Sequence, residues 1–304
     1  MSPARPSTQR RVCSPPSDFS FDFVRRGGVS CCPVNHTASS SQSRAIAVIP
    51  ARYASTRLPG KSLCEIAGRP MIVHVVERAL SARNVARAIV ATDDRRIQDA
   101  VLSAGFEAVM TRADHASGSD RLAEVAAALD DADVIVNLQG DEPLVSPRTI
   151  ERAVDELLKD EAAHIVTTSE AIADAADVLS PDVVKVVTDA SGRALYFSRS
   201  PVPYPRDAVR LHGTLAAALE AEPRLLAAFR KHTGLYVYRR AFLLEYTRWP
   251  QSALERAESL EQLRALERGA VIKVIEADSP SIGVDTEEDL ERVRKIFTEA
   301  NGEW

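Results

Sequence analysis

Ala45-Ile-Ala-Val-Ile49 followed by Pro50-Ala-Arg52-Tyr-Ala-Ser55-Thr56-Arg57-Leu-Pro59-Gly60-Lys61 is the stretch on which the fold turns. Five apolar residues ended by a proline read as a short strand buried on both faces. The twelve residues after it carry two arginines, a lysine, two hydroxyls and a Pro-Gly pair, the composition of a loop. A helix then opens at Pro70, with Ile72, Val75, Val76, Ala79 and Leu80 at i, i+3, i+4, i+7, i+8 spacing along one face. A buried strand, a polar loop and an amphipathic helix make the first half of a βαβ unit.

The pattern repeats along the chain. The strand Ala88–Thr92 is followed by a helix with Ile97, Ala100, Val101 and Ala104 on one face. A strand near 106–110 precedes a helix carrying Leu122, Val125, Ala126 and Leu129. Val134-Ile-Val-Asn-Leu138 leads into a helix capped by Ser146-Pro147, with Ile150, Ala153, Val154, Leu157 and Leu158 inward. Further strands are expected near 164–168, 183–188, 194–197, 234–238 and 271–276, with Asp285-Thr286 capping a last helix that carries Leu290, Val293 and Phe297. The expected fold is therefore α/β, a single doubly wound, mainly parallel sheet.

Residues 1–44 have another character. They are rich in Ser, Pro and Arg and lack any sustained period, which predicts a disordered extension ahead of one catalytic domain at 45–304. An organelle transit peptide fits poorly with Asp18, Asp22 and the Phe19-Ser-Phe-Asp-Phe23 patch, and an over-long gene start is a third reading. Three of the four cysteines, Cys13, Cys31 and Cys32, fall in this segment, so a disulfide framework across the fold is not expected and a reducing compartment is. A net charge of −5 argues against a nucleic-acid binder but leaves room for a local basic pocket. No apolar run approaches the roughly 20 residues that span a bilayer.

Ligands of open α/β sheets bind beyond the carboxyl ends of the strands, so the loop 50–61 should face the site. Arg52, Arg57 and Lys61, with Ser55, Thr56 and the backbone, suit a triphosphate; a merely solvated basic loop is the plainer alternative. Gly60-Lys61-Ser62 resembles the end of a P-loop, but that motif needs a glycine five residues before Gly60, and Ser55 stands there. No G-x-G-x-x-G follows a strand, which disfavours a nicotinamide cofactor. Gln139-Gly140-Asp141-Glu142-Pro143 places a carboxylate directly after a buried strand, where it can be a turn former or a metal ligand. Asp285 in Gly283-Val-Asp285-Thr286 is either a helix cap or a second metal carboxylate. Mg²⁺ takes one or two carboxylates plus substrate phosphates, so Asp141 and Asp285 would serve if both strands end on the same side.

Several longer motifs then carry a resemblance. Pro50–Lys61, Thr111-Arg112-Ala-Asp114-His115 with Ser117-Gly118, and Gln139–Pro143 are similar in order and spacing to the Kdo (3-deoxy-manno-octulosonate) cytidylyltransferase family. So are Tyr196-Phe-Ser-Arg199, His232-Thr-Gly-Leu-Tyr236, Leu260-Glu-Gln-Leu-Arg264 and Gly283–Thr286. The likeness runs from about Ala45 to Phe297; 206–229 matches loosely, and Ser62 and Ser119 stand where Pro and Thr are common. It implies a nucleotidyltransferase-type sheet with a smaller sugar-binding and dimerisation subregion. It implies that Arg52, Lys61, Asp141 and Asp285 are the catalytic residues, that Arg52, Ser55, Thr56, Lys61, Thr92, Asp93, Arg112, Ser117 and Gln139 bind CTP, and that Asp141 and Asp285 hold Mg²⁺. Arg199, His232, Tyr236, Glu261 and Gln262 would surround the sugar acid.

The implied reaction joins CTP and Kdo to give CMP-Kdo and pyrophosphate for lipopolysaccharide biosynthesis, in a cytoplasmic homodimer without nucleic-acid or membrane partners. A cytidylyltransferase for sialic acid or an amino analogue of Kdo is the nearest rival. A metal-dependent glycosyltransferase is a more distant one, because Asp131-Ala-Asp133 precedes its strand instead of following it. A non-enzymatic nucleotide-binding module would have little reason to combine Asp141, Asp285 and Lys61.

Overall fold

The computed structural model describes residues 45–54, 57–115 and 117–299. The expected extension at 1–44 and the nucleotide contacts expected of Ser55 and Thr56 lie outside the described residues. In chain order the strands are β1 (Ala45–Ala51), β2 (Glu65–Ile66), β3 (Arg69–Pro70), β4 (Val85–Thr92), β5 (Glu107–Met110), β6 (Val134–Asn137), β7 (Ile165–Ala171), β8 (Lys185–Thr188), β9 (Ala194–Ser198), β10 (Arg230–Arg239) and β11 (Ile272–Glu276). The first helices are α1 (Met71–Ser81), α2 (Arg95–Ser103), α3 (Gly118–Ala127), α4 (Pro147–Lys159), α5 (Ala175–Leu179), α6 (Arg206–His212) and α7 (Leu215–Ala221). They are followed by α8 (Arg240–Tyr246), α9 (Ala253–Glu258), α10 (Gln262–Glu267) and α11 (Glu287–Glu299).

The main sheet runs β11-β7-β10-β6-β1-β4-β5, with β8 paired to β10 and to β9. β1 lies at its centre, parallel to β4 and to β6. Alternate side chains of β1 enter two cores. Ala45, Ala47, Ile49 and Ala51 pack with Ile72, Val75 and Val76 of α1, Ile97 and Val101 of α2, and Ile150 and Val154 of α4. Ile46 and Val48 pack with Leu122 and Val125 of α3, Phe242 and Leu243 of α8, and Leu263 of α10. Both faces of β1 are therefore covered, which is why its sequence is a continuous apolar run instead of an alternating one. A third cluster seats α11, through Leu290, Val293 and Phe297, against Ile66 and Met71.

β10 departs from the parallel scheme: it runs antiparallel to both β6 and β7, between them. Reversal has a functional result. Tyr236 lies opposite Asn137 near the end of β6, and His232 opposite Ser169 near the end of β7. The start of β10 thus reaches the edge of the sheet at which the parallel strands finish. Smaller differences also appear. Pro70 closes the β2–β3 hairpin with extended ψ, so α1 begins at Met71. Residues 206–229 hold α6 and α7, and 240–267 hold α8, α9 and α10, none of which the apolar spacing announced. Thr286, not Asp285, caps α11: its hydroxyl accepts the Asp289 N–H at 3.2 Å and its own N–H donates to the Asp289 carboxylate at 2.9 Å.

Candidate active site

Loops after β1, β4, β5, β6 and β11 meet at the carboxyl edge of the sheet. Gly60, at φ +68°, turns the loop after β1 back on itself, and its N–H donates to Tyr53 O at 3.0 Å. A side chain here would strain the backbone and press on the Tyr53 ring 3.0 Å away. The turn delivers Lys61 to the cleft, where its ammonium contacts the Asp141 carboxylate and donates to Asp285 Oδ1 at 3.0 Å and Val284 O at 3.3 Å. Arg57 reaches the other Asp285 oxygen, Oδ2, at 3.0 Å. Burial works against the Lys61 charge, but Asp141 and Asp285 outweigh it and hold its pKa above the usual lysine value.

Gly140 allows the loop after β6 to run alongside the end of β1. A Cβ there would lie 3.0 Å from Pro50 O. Asp141 then accepts the Val284 N–H on its main-chain oxygen at 2.9 Å, tying the two carboxylate-bearing loops together. Between them lies a cleft of about 320 Å³, lined among others by Arg52, Arg57, Lys61, Gln139, Asp141 and Asp285. The four residues expected to be catalytic thus share one cleft.

Other expected nucleotide contacts are distributed around this cleft. Arg52 donates to His115 O at 3.2 Å and Ser117 O at 3.3 Å, joining the loop after β1 to the loop after β5. Ser117 caps α3 in a reciprocal box with Asp120. Thr92 is buried and its carbonyl accepts from Thr111. Asp93 is held by Arg121 at 2.7 Å, and that arginine is fully buried and also contacts the Thr111 hydroxyl. Arg112 instead lines a separate, wider recess with Asp114, Glu124 and Arg248, and pairs with Asp114 at 3.2 Å. Gln139 lines the cleft and its amide donates to Gly234 O at 3.4 Å, linking the cleft to β10.

The start of β10 forms a second, more enclosed region. The Thr167 hydroxyl donates to Leu235 O at 2.7 Å, so toward His232 Nε2, 2.9 Å away, it accepts. That assignment puts the histidine proton on Nε2 and leaves Nδ1 bare. Burial lowers the His232 pKa to about 3, so the ring is neutral. Phe197 and Tyr236 meet it edge-on at 4.9 and 5.3 Å between centroids. Burial likewise pushes the Tyr236 phenol well above its usual pKa, helped by the charge of Glu261. Glu261 Oε2 and Gln262 Nε2 are buried without a hydrogen-bond partner, as is Asn137 Oδ1 on the strand beside Tyr236. Leaving such atoms unpaired costs on the order of 1–3 kcal/mol each, a cost that a polar ligand removes.

Arg199 is anchored differently. Its Nε donates to Glu258 O at 2.7 Å and its Nη1 to Pro181 O at 2.9 Å, while Glu258 accepts the Arg199 and Ser198 donors. The buried Lys185 ammonium donates to Ser180, Val183 and Arg199 carbonyls, fixing the same corner. Sequence reading passed over Asn137, Lys185, Arg121 and Glu258. Two had a signal: a polar residue inside the apolar runs Val134–Leu138 and Val183–Val187.

Among the described residues no group of three or more His, Cys, Asp or Glu side chains stands ready to hold a metal ion. Two carboxylates, Asp141 and Asp285, both in contact with one lysine ammonium, are nevertheless a donor set that suits Mg²⁺, which completes its octahedron with water and phosphate oxygens. Among the described residues no helix is long and apolar enough to cross a membrane.

A family profile described as cytidylyltransferase matches residues 46–275. The 3-deoxy-manno-octulosonate cytidylyltransferase of Trichlorobacter lovleyi is 53% identical over 250 residues, 82% of this chain and 97% of that protein. The enzyme of the same name from Solibacter usitatus is 49% identical over 83% of this chain and 94% of its own. A solved structure of CMP:2-keto-3-deoxy-manno-octonic acid synthetase complexed with CTP is 46% identical, with a TM-score of 0.75 over 84% of this chain and 99% of that one. The 4-diphosphocytidyl-2C-methyl-D-erythritol synthase of Anaerococcus prevotii, at 14% identity and a TM-score of 0.53, shares the fold alone.

Proposed function

This chain belongs to the 3-deoxy-manno-octulosonate cytidylyltransferase family, and we propose that it transfers CMP from CTP to Kdo with release of pyrophosphate and with Mg²⁺ held by Asp141 and Asp285. The observation that carries the reading is the meeting of Lys61 with both carboxylates, one after β6 and one before α11, in a cleft beside the start of β10.

In this reading the anomeric hydroxyl of Kdo attacks the α-phosphorus, and the bond to the β-phosphate oxygen breaks. The chain supplies no nucleophile. Lys61 and Arg57 leave their carboxylates for the triphosphate and meet the charge that develops on departing pyrophosphate. Mg²⁺, when bound, neutralises phosphate charge and acidifies a coordinated hydroxyl. Arg52 holds the loops after β1 and β5 together around the nucleotide. At the sugar end, His232, Tyr236, Glu261 and Gln262 present polar atoms from a half-buried wall, and Arg199 braces that wall through Glu258. In the same reading the product feeds lipopolysaccharide assembly and the enzyme works in the cytoplasm. Exposed Leu195, Tyr204 and Leu211, between 60% and 74% accessible, support a homodimer formed through the region of β9 and α6.

The test is phosphorus NMR on purified protein with CTP, Kdo and Mg²⁺. One phosphodiester and one pyrophosphate should appear in equal amounts, and neither should appear without Kdo. Pyrophosphate formed without Kdo, or CDP with phosphate, would contradict the reading.

A further inference from the structure

Asp285 stands on a loop, not on a strand, and something must hold that loop. Residues 277–284 are fastened at several points: Ala277 N–H to Ser169 O at 2.9 Å, Asp278 N–H to Thr149 Oγ1 at 2.8 Å, and Val284 N–H to Asp141 O at 2.9 Å. Between these anchors two side chains outside the cleft reach the loop, both at Ser281. Glu170, on β7 and only 8% exposed, accepts the Ser281 N–H on Oε1 at 2.9 Å. Its other oxygen faces the Lys231 ammonium at 3.9 Å. The Ser281 hydroxyl meanwhile donates to Glu142 Oε2 at 3.3 Å, next to Asp141 in sequence.

Lys231 is paired with Glu170 across the β7–β10 ladder, and the next pair is His232 with Ser169. Beyond it the ladder register shifts before Tyr236. Glu170 therefore grips the Asp285 loop with one oxygen and sits beside the start of the sugar-facing segment with the other. A nearly buried carboxylate aimed at a main-chain N–H is a stiff link, because the carboxylate has little water to turn to instead.

We propose that Glu170 is a positioning residue that couples the His232–Tyr236 segment of β10 to the loop carrying Asp285, and so sets the affinity of the Asp141–Asp285 pair for a divalent cation. The proposal rests on the reading of Asp285 as a metal ligand. It makes reach decisive, not charge. Glu170→Gln keeps an acceptor oxygen at the same distance from Ser281 N–H. Glu170→Asp keeps the charge but withdraws it by one methylene. Glu170→Ala removes both.

The measurement is Mn²⁺ binding to the protein in saturating CTP, read by electron paramagnetic resonance, with hydrogen exchange followed on a peptide spanning 277–286. Glu170→Ala and Glu170→Asp should each weaken Mn²⁺ binding about fivefold, the scale of one ordinary hydrogen bond. Both should speed exchange of the Ser281 amide, and Glu170→Gln should behave as the unaltered protein. If Glu170→Ala does not fold, Glu170→Asp carries the test. Normal Mn²⁺ affinity in Glu170→Asp, or equal loss in Glu170→Gln, overturns the proposal, as does faster exchange with unchanged Mn²⁺ affinity. Failure of the functional reading looks different: the unaltered protein would bind Mn²⁺ with CTP yet release no pyrophosphate with Kdo.

Discussion

The two ends of the site solve different electrostatic problems. At the nucleotide end, opposite charges neutralise one another: Lys61 and Arg57 against Asp141 and Asp285. At the proposed sugar end the wall carries the Glu261 carboxylate, with His232 held neutral and Tyr236 held protonated beside it by burial. Ion pairs in a part-exposed cleft can be exchanged, so incoming phosphates and a cation can take over the partners. A packed wall without ion pairs of its own to exchange cannot rearrange as cheaply, so in this reading it selects by shape and by the hydrogen bonds it lacks. The contrast suits a reaction in which the triphosphate changes charge distribution while the sugar must merely be held and aligned.

The contrast breaks most visibly at the carboxylates. Asp141→Asn and Asp285→Asn should each lower turnover by about 10²–10⁴-fold, the scale expected for losing charge stabilisation at a metal-assisted phosphate transfer. The fold should survive, since Asp141 keeps its main-chain bond to Val284 and Asp285 does not cap α11. Steady-state rates across a Mg²⁺ titration give the answer, and near-normal turnover at limiting Mg²⁺ would remove either residue from the metal site.

A smaller change should appear at the sugar wall, and with another signature. His232→Ala should raise the KM for Kdo about tenfold or more while the KM for CTP moves little, because a hydrogen-bonded, packed ring is lost. Arg199→Ala should do the same and also lower the melting temperature, because its guanidinium braces Glu258 and Pro181. Equal weakening toward both substrates would mean that these residues serve packing alone.

The neutral state of His232 has its own pH signature. The folded protein resists a proton down to about pH 3, whereas the unfolded chain takes one near the ordinary value of 6.5. The unfolded state therefore binds more protons in that window, and stability falls as pH drops below 6.5. Relative to His232→Asn, the unaltered protein should lose about 2 kcal/mol between pH 7 and pH 5. Parallel stability curves for the two proteins would show that the ring is protonated when folded. The least effect is expected from removing residues 1–44: turnover and melting temperature should stay nearly unchanged, since the cytidylyltransferase profile begins at residue 46.

What could be read from the sequence follows the same division. That Lys61, Asp141 and Asp285 share one cleft was legible because each lies in a loop that follows a strand or precedes a helix, at the sheet edge where α/β folds bind ligands. Strands β1, β4 and β6 were legible as continuous apolar runs, and helices α1 to α4 because their burial is periodic. The reversal of β10 was not, because the apolar pattern of one strand does not state its direction. The short α6 buries no residue and α7 only Ala218 and Leu219, too few to show a period. Glu170 on Ser281 and Arg121 on Asp93 join residues 111 and 28 positions apart, and nothing local announces such a partner. Asp285 carried two readings, and the capping role passed to its neighbour Thr286.

In the proposed function a charged, exchangeable cleft and a packed, selective wall together serve Kdo cytidylyl transfer. The most direct test is pyrophosphate release measured across a matrix of nucleoside triphosphates and acidic sugars with Mg²⁺ present. CTP with Kdo should give the highest kcat/KM by a wide margin, and CTP with sialic acid should give almost none. Comparable rates with sialic acid would contradict the selectivity of the wall, and comparable rates with ATP would contradict the assignment of the cleft to CTP.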